Sequence, residues 1–327
     1  MLTPQDISKK MSEYFGAVGF CLTNAQNIAN AKGKTDLIIA GVQIFDEIIH
    51  RGAEILTDQM FIAQPCIRMQ FQPYVSTQAG TSTSFVNVCT EKMNGSFEEH
   101  LQTVDHWCTI LSKLGLHMND FFVIMRETTN DWGTGSFPTL ELFFVYGGLE
   151  LGDASYFHIP QSNRAPIPVS DIGFGLERIA WAINKTDAYF DTLIPWTVQG
   201  VNEKIDACRT LALLLLCGVQ PSNKGSGLQF RRFAKALSED YYCEDLFYLI
   251  LYYFDYWSQF SKPSVSRDVA IKRARLEIER FINLKISETL GLPPPREETT
   301  GDYFNRLVYT CNADIYKLRK IIQQCKK

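Results

Sequence analysis

VSDIGFGLERIAWAINKT, residues 169–186, sets an aspartate, two glycines, a glutamate and an arginine directly ahead of an apolar repeat. Leu176, Ile179 and Ile183 recur at helical spacing, so the segment reads as a helix with Arg178 in its first turn. A cation there opposes the helix dipole, which favours anions at that end. Gly173 and Gly175 allow main-chain amides to approach a ligand, and a helix start attracts anions. The stretch is not the dinucleotide fingerprint, because Arg178 stands in place of a third glycine and no βαβ unit surrounds it. Two readings stay open. Either a tight turn carries an arginine tied into an internal ion pair, or a polyphosphate neutralises the guanidinium.

Beyond this stretch the chain has 327 residues, a net charge of −4, 46% hydrophobic and 21% charged residues. That is an ordinary globular composition, with no global pull toward nucleic acid or membrane. Nine cysteines, none in a Cys-x-x-Cys pair, predict reduced thiols in a cytoplasmic protein with no zinc ribbon and no disulfide framework. MLTPQDISKKMSEYF at the start lacks the apolar core of a signal peptide. RTLALLLLCGV, residues 209–219, is about half the length of a membrane span and reads as a buried helix.

Residues 5–15 predict a helix with Ile7, Met11 and Tyr14 on one face. Residues 36–52 read as a strand or buried segment passing into a helix. Alternation predicts strands over 61–71 and 81–91, joined across the turn-rich 72–80 as an antiparallel hairpin with a long loop. Ser96, Glu99 and Gly115 mark the ends of a helix over 96–116. Further strands are expected over 120–127, 139–148 and 154–159, and helices dominate after residue 186. The result is an α+β domain over residues 1–190 followed by an all-helical domain over 191–327.

Arg68 lies on the first strand of the hairpin. Two arginines on neighbouring elements, with an acidic residue such as Glu141 between them in sequence, suit ATP-driven activation of a carboxylate. One guanidinium would hold the α-phosphate, the other the γ end, and a carboxylate would bind Mg²⁺ or an amino group.

At this point the chain resembles the class II aminoacyl-tRNA synthetases, and among them the alanyl-tRNA synthetases. SDIGFGLERIAWAINKTDAYFDT is similar to the family's third motif, AQPCIRMQ to the arginine strand of the second, and GSFEEHLQ to that motif's close. LELGDASYFHI resembles the family's substrate strand. DACRTLALLLLCGVQPSNKGSGLQFRRFAKAL resembles the helix pair of its tRNA-recognition region. The matches fall in order from about residue 60 to 237, with none after LPPPREETTGDY.

The resemblance implies an antiparallel sheet flanked by helices, with ATP on the sheet, Mg²⁺ as its companion, and a helical appendage. It implies Arg68 on the α-phosphate, Arg178 on the γ-phosphate, Phe85 on adenine, and Gly173 and Gly175 beside the nucleotide. Glu141 matches a family glutamate and is assigned to ATP and Mg²⁺, a surface strand glutamate being the alternative. Asp171 would hold the amino acid's α-ammonium, with Gly152 and Asp153 beside it; a helix N-cap is the other reading of Asp171. Arg209, Asn223, Lys224, Arg231 and Arg232 would face a tRNA acceptor stem. Core packing is the reading for the aromatic run DLFYLILYYFDYWSQF. Lys272, Arg273, Arg275 and Arg280 extend the basic stripe, interleaved with Glu239, Asp240, Asp268, Glu277 and Glu279 as on a solvated face.

Departures from the family pattern shape the functional expectation. Gly152-Asp153 replaces Trp-Asn on the substrate strand, which predicts space beside Gly152 and extra charge beside Asp171. The alternative is that Gly152 accommodates a neighbour. The expected substrate is therefore larger than L-alanine, or carries more donors or positive charge. The family's motif 2 loop is replaced by FQPYVSTQAG, no His-x-x-x-His editing pair is found, and the sequence stops before an editing domain would begin. Alanylation without editing discriminates small side chains poorly. The expected activity is amino-acid adenylation with transfer to a tRNA or tRNA-like acceptor. A non-tRNA nucleophile, or a non-catalytic regulatory role, is the alternative.

Overall fold

The computed structural model describes residues 1–30, 35–51, 58–132, 135–160, 165–194, 202–239, 246–296, 298–311, 313–318 and 320. These form two units, Met1–Asn202 with Gln259–Ser261, and Glu203–Ser258 with Lys262–Lys327.

In the first unit, a capping box between Thr3 and Asp6 starts α1 (Pro4–Ala17), which buries Ile7, Met11 and Phe15. Tyr14, expected on that buried face, instead turns its hydroxyl to His106 Nδ1 at 3.1 Å. The elements that follow are β1 (Cys21–Thr23), α2 (Asp46–Arg51), β2 (Met60–Ile67), β3 (Ser84–Met93), α3 (Phe97–Lys113), β4 (Phe121–Trp132), β5 (Gly135–Tyr146), β6 (Leu149–Ile159), β7 (Ile167–Gly175) and α4 (Leu176–Asn184). One seven-stranded sheet results, in the order β1-β2-β3-β7-β6-β5-β4. Every neighbouring pair is antiparallel except β1 with β2.

Ser96 and Glu99 cap α3 reciprocally, as their spacing predicts. Its Trp107 stacks on Phe174 of β7 at 4.6 Å between centroids, so α3 covers one face of the sheet. The other face is left for the site. Gly147 and Gly148, with φ of 56° and 84°, make the two-residue turn between β5 and β6 that needs two positive-φ positions. At the outer edge, β4 has no further partner among the described strands, and Phe122 and Met125 are exposed there.

Two expectations change and an open one is decided. Over the described residues 36–51 the buried-segment reading holds rather than the strand: Leu37 and Ile38 are buried, Ile38 makes only isolated main-chain bonds to Ile28 and Ile67, and a 3₁₀ turn over Gly41–Phe45 leads into α2. β4 and β5 are longer than predicted, because the Thr-Thr-Asn-Asp end of β4 lies at an edge, where burial imposes no alternation. Residues 167–175, read as the lead-in to a helix, are a strand inside the sheet. The helix begins only at Leu176.

The second unit is helical: α5 (Asn202–Leu216), α6 (Gly225–Ser238), α7 (Leu246–Trp257), α8 (Arg267–Leu290) and α9 (Thr300–Cys311). Buried on every side over residues 204–216, α5 shows only a weak helical stripe for that reason. Leu249, Tyr253 and Trp257 of α7 are fully buried, in keeping with core packing. Asp240 and Asp245, the first residue of the aromatic run, lie outside the described residues.

Candidate active site

Arg68 follows the last residue of β2, and its Nε donates to the Ile39 carbonyl at 2.8 Å. Its guanidinium lies over the rings of Phe85 at 5.0 Å and Phe71 at 5.8 Å. Contacts of this kind contribute about 0.5–2 kcal/mol and fix the plane of the group. Arg178, in the first turn of α4, donates from Nε to Gly80 O at 2.9 Å and from Nη1 to Glu150 O at 2.8 Å. Glu150 Oε1, at the exposed rim, is 3.7 Å from the same nitrogen. Thus main-chain carbonyls orient the cation against the dipole, and the ion-pair reading survives only as a loose contact at the rim.

The two arginines enter one cleft. Phe85, Asn87, Gly152, Asp153, Gly173, Gly175 and Glu177 line it with them. Buried Glu177 accepts from Val86 N with both carboxylate oxygens, at 3.0 and 3.2 Å, pinning the start of α4 to β3. Asn87 accepts from Gly41 N at 2.9 Å, and its amide would be 2.7 Å from a Cβ at position 173. Gly173 is required for that contact, whereas a Cβ at Gly175 would meet only the Arg178 stem, at 3.4 Å.

Beside the cleft lies a cavity of about 300 Å³, which also touches Arg68, Asn87, Asp153 and Gly173. Asp171, Glu141, Ser155, Asn130 and Asp46 supply its polar wall, and Val42, Trp132, Phe137 and Phe157 its apolar wall. Strand register builds the polar wall. Glu91 pairs with Asp171, Asp171 with Ser155, and Ser155 with Glu141, in a single row across four strands. Asp153 opposes Gly173, one pleat along on the same face.

Burial pushes the Asp153 carboxyl up to about 7, reinforced by the Asp171 charge and opposed by the Ser155 hydroxyl, which donates to it at 2.9 Å. Burial likewise raises Asp171 to about 6, opposed by contact with Glu91 and by the Arg68 charge. Protein surrounds both groups, and the cavity keeps one edge of each accessible to water. Glu91 is wholly buried, and neither of its oxygens meets an N–H or hydroxyl donor. Burial first and the Asp171 charge second hold it well above the usual carboxylate range. Its environment thus favours the protonated form, whose hydroxyl can donate to Asp171.

Several expectations are corrected. No space opens at Gly152, because a Cβ there would lie 2.2 Å from Gly173 O and 2.6 Å from the Phe174 ring. Gly152 serves strand packing, and the room lies in the cavity. Asp171 is not a helix cap, since it sits within β7 and Gly175 is the N-cap of α4. Glu141 does not line the arginine cleft; it faces the cavity and accepts from Asn130 Nδ2 at 3.0 Å, away from the nucleotide and Mg²⁺ role assigned to it. Phe85 lines the cleft, with its ring under Arg68. Asn87 and Glu91 were missed. Polar residues on one face of the buried SFVNVCTE alternation are the signal that could have found them.

In the helical unit, Arg209 is 0% exposed, caged by Tyr253, Tyr256 and Trp257 at 5.1, 4.9 and 4.7 Å, and cannot face a nucleic acid. Asn223, Lys224 and Arg232 are exposed. Arg231 is half-buried, bonded to Asn223 and paired with Glu277 at 3.2 Å. Glu277 and Glu279 are buried rather than solvated, the first bridging Arg231 and Arg280 and the second accepting from Thr300 N. Arg231, Lys272, Arg273, Arg280 and Arg296 line a cavity of about 510 Å³ whose acids are Glu277 and Glu298.

Among the described residues, no group of three or more His, Cys, Asp or Glu side chains is arranged to hold a metal ion, and no helix is long and apolar enough to cross a membrane. Mg²⁺ can still accompany a triphosphate, since it commonly rests on phosphate oxygens and water with one or two carboxylates. Glu150 is the carboxylate at the cleft rim beside Arg178.

No protein-family model matches the chain. Among curated proteins it is similar to the alanine–tRNA ligase of Archaeoglobus fulgidus, 25% identical over 189 residues, covering 52% of this chain and 20% of the relative. The alanine–tRNA ligase of Methanococcus maripaludis is 22% identical over 233 residues, covering 65% of this chain and 26% of the relative. That of Sulfurisphaera tokodaii is 22% identical over a match covering 99% of this chain and 45% of the relative. The chain thus spans about a fifth to a quarter of the length of the first two relatives. Among solved structures, the pyrrolysyl-tRNA synthetase of Desulfitobacterium hafniense superposes with a TM-score of 0.42 and 15% identity, covering 61% of this chain and 75% of that one. By sequence, this chain is alanyl-tRNA synthetase-like, similar to the alanine–tRNA ligases.

Proposed function

We propose that the protein activates an amino acid with ATP to an aminoacyl-adenylate and passes it to a tRNA or tRNA-like acceptor, and that L-alanine is not its specific substrate. One observation carries the reading: Arg68 and Arg178 enter the same cleft, each anchored to main-chain carbonyls through part of its guanidinium. Donors held in this way are preorganised for charge that develops on a ligand. Arg68, where cleft and cavity meet, would hold the α-phosphate, and Arg178 the γ end. Asp171 would hold the α-ammonium in the cavity. A carboxylate oxygen of the amino acid attacks the α-phosphorus, forming the acyl–phosphate bond as the bond to the β-phosphate oxygen breaks and pyrophosphate leaves. The acceptor's nucleophile then attacks the carbonyl carbon and AMP departs. This chain's residues bind, orient and neutralise, with no covalent nucleophile required.

The test is amino-acid-dependent exchange of labelled pyrophosphate into ATP. Exchange with at least one amino acid is expected, and none across the twenty standard amino acids and their common diamino homologues refutes the reading. A non-tRNA acceptor is favoured by the burial of Arg209, which removes one expected tRNA contact. Labelled amino acid recovered on total tRNA decides between the acceptors.

A further inference from the structure

The cavity beside the cleft holds more negative charge than one α-ammonium group satisfies. Asp46 is already met by Trp132 Nε1 at 2.8 Å and Gln43 Nε2 at 3.2 Å. Both Asp46 oxygens are thus occupied, and Asp131 is exposed and takes the Ser136 hydroxyl. Asp153, Asp171 and Glu141 remain around the space, Ser155 meeting one oxygen of Asp153 and Asn130 one of Glu141, with Arg68 as the one permanent cation in the described lining. Behind Asp171, wholly buried Glu91 faces the same row with no N–H or hydroxyl donor on either oxygen. An amino acid with a neutral side chain would leave at least one ionised carboxylate unmatched in a confined space, a costly arrangement.

Geometry locates the second charge. Asp171 and Asp153 are diagonal neighbours on adjacent strands, about 7–8 Å apart at their Cα atoms, close enough to share one ammonium. Glu141 is two strands from Asp171 in the same row, roughly 10 Å away at the backbone. Both side chains reach into the cavity, so the remaining gap fits about three or four methylenes. Val42, Trp132, Phe137 and Phe157 provide an apolar wall for that stem, which long cationic side chains bury readily.

We infer that the cavity takes a diamino acid, an α-amino acid whose side chain ends in a second cationic group held at Glu141, while Asp171 and Asp153 take the α-ammonium. The inference rests on the amino-acid-activating reading for its placement of the α-ammonium, and its test separates the two. Binding of L-lysine, L-ornithine, L-norleucine and L-alanine to the full chain is measured by calorimetry without ATP, alongside pyrophosphate exchange with each. Lysine or ornithine should bind at least about tenfold more tightly than norleucine, as expected for a charge-assisted contact. Glu141→Gln should reduce that ratio to about twofold or less by weakening the diamino acids, with norleucine binding and the melting temperature held. Equal or tighter binding of norleucine or alanine, a ratio unmoved by Glu141→Gln, or no binding of any of the four overturns the inference. Lysine or ornithine binding without exchange overturns the activation reading alone, and exchange with alanine alone overturns the diamino acid alone.

Discussion

Replacing Asp153 with asparagine should change how stability depends on pH. In the folded chain the Asp153 carboxyl is held near 7, against 3.8 ordinarily. Between those values the folded state keeps a proton that the unfolded state has released, so this group's contribution to stability is lost as pH rises toward 7. The shift is about three powers of ten in proton affinity, or about 4 kcal/mol when complete. Cavity water at one edge of the carboxylate screens the charge, and about 2 kcal/mol is expected to be realised. Buried His100, hydrogen-bonded to Ser170 and depressed to about 4, pulls the opposite way between that value and 6.5. It is present in both proteins and cancels in their difference. Asp153→Asn should therefore gain stability relative to wild type as pH rises from 5 to 8, by on the order of 5 °C in melting temperature. Thermal melts of both proteins at unit intervals of pH test this. A difference that stays constant across the range refutes the placement of an ionisable carboxylate in a half-dry cavity.

Arg68→Ala and Arg178→Ala should each slow pyrophosphate exchange by about 100-fold or more, the loss expected for a donor at a developing charge; single-turnover kinetics with saturating ATP check it. Gly152→Ala forces a methyl against Gly173 O and Phe174 and should cost about 1–3 kcal/mol in denaturant titration, with no enlargement of the preferred substrate. Glu177→Gln can meet Val86 N with only one acceptor oxygen, and should lower stability by about 1–3 kcal/mol. Arg209→Ala should destabilise the chain by about 3–5 kcal/mol in a melt, whereas exposed Arg232→Ala should leave stability within about 0.5 kcal/mol.

Where burial and periodicity coincide, the sequence could be read directly. Ser96 and Glu99 declare the start of α3, and the hairpin of β2 and β3 shows in its alternation. Arg178 could be singled out because a cation in a first helical turn needs an external reason, and Arg68 because it stands at the end of the hairpin strand that resembles the family's arginine strand. What stayed hidden depends on pairing between distant strands. Glu91 gains its meaning only opposite Asp171, which lies 80 positions on. Gly152 appeared to offer space, because nothing local reveals that the main chain at Gly173 fills its Cβ position. Arg209 looked like a nucleic-acid contact until the α7 aromatics closed over it.

The row from Glu91 through Asp171 and Ser155 to Glu141 makes the chemistry of this protein a property of alignment. Side chains alternate across a sheet, so sliding β7 by a single position would present Ser170 or Ile172 where Asp171 now stands. Insertions or deletions inside β3, β6 or β7 should therefore be purged far more strictly than point changes on the same strands, and length variation among close homologues should collect in the loops between them.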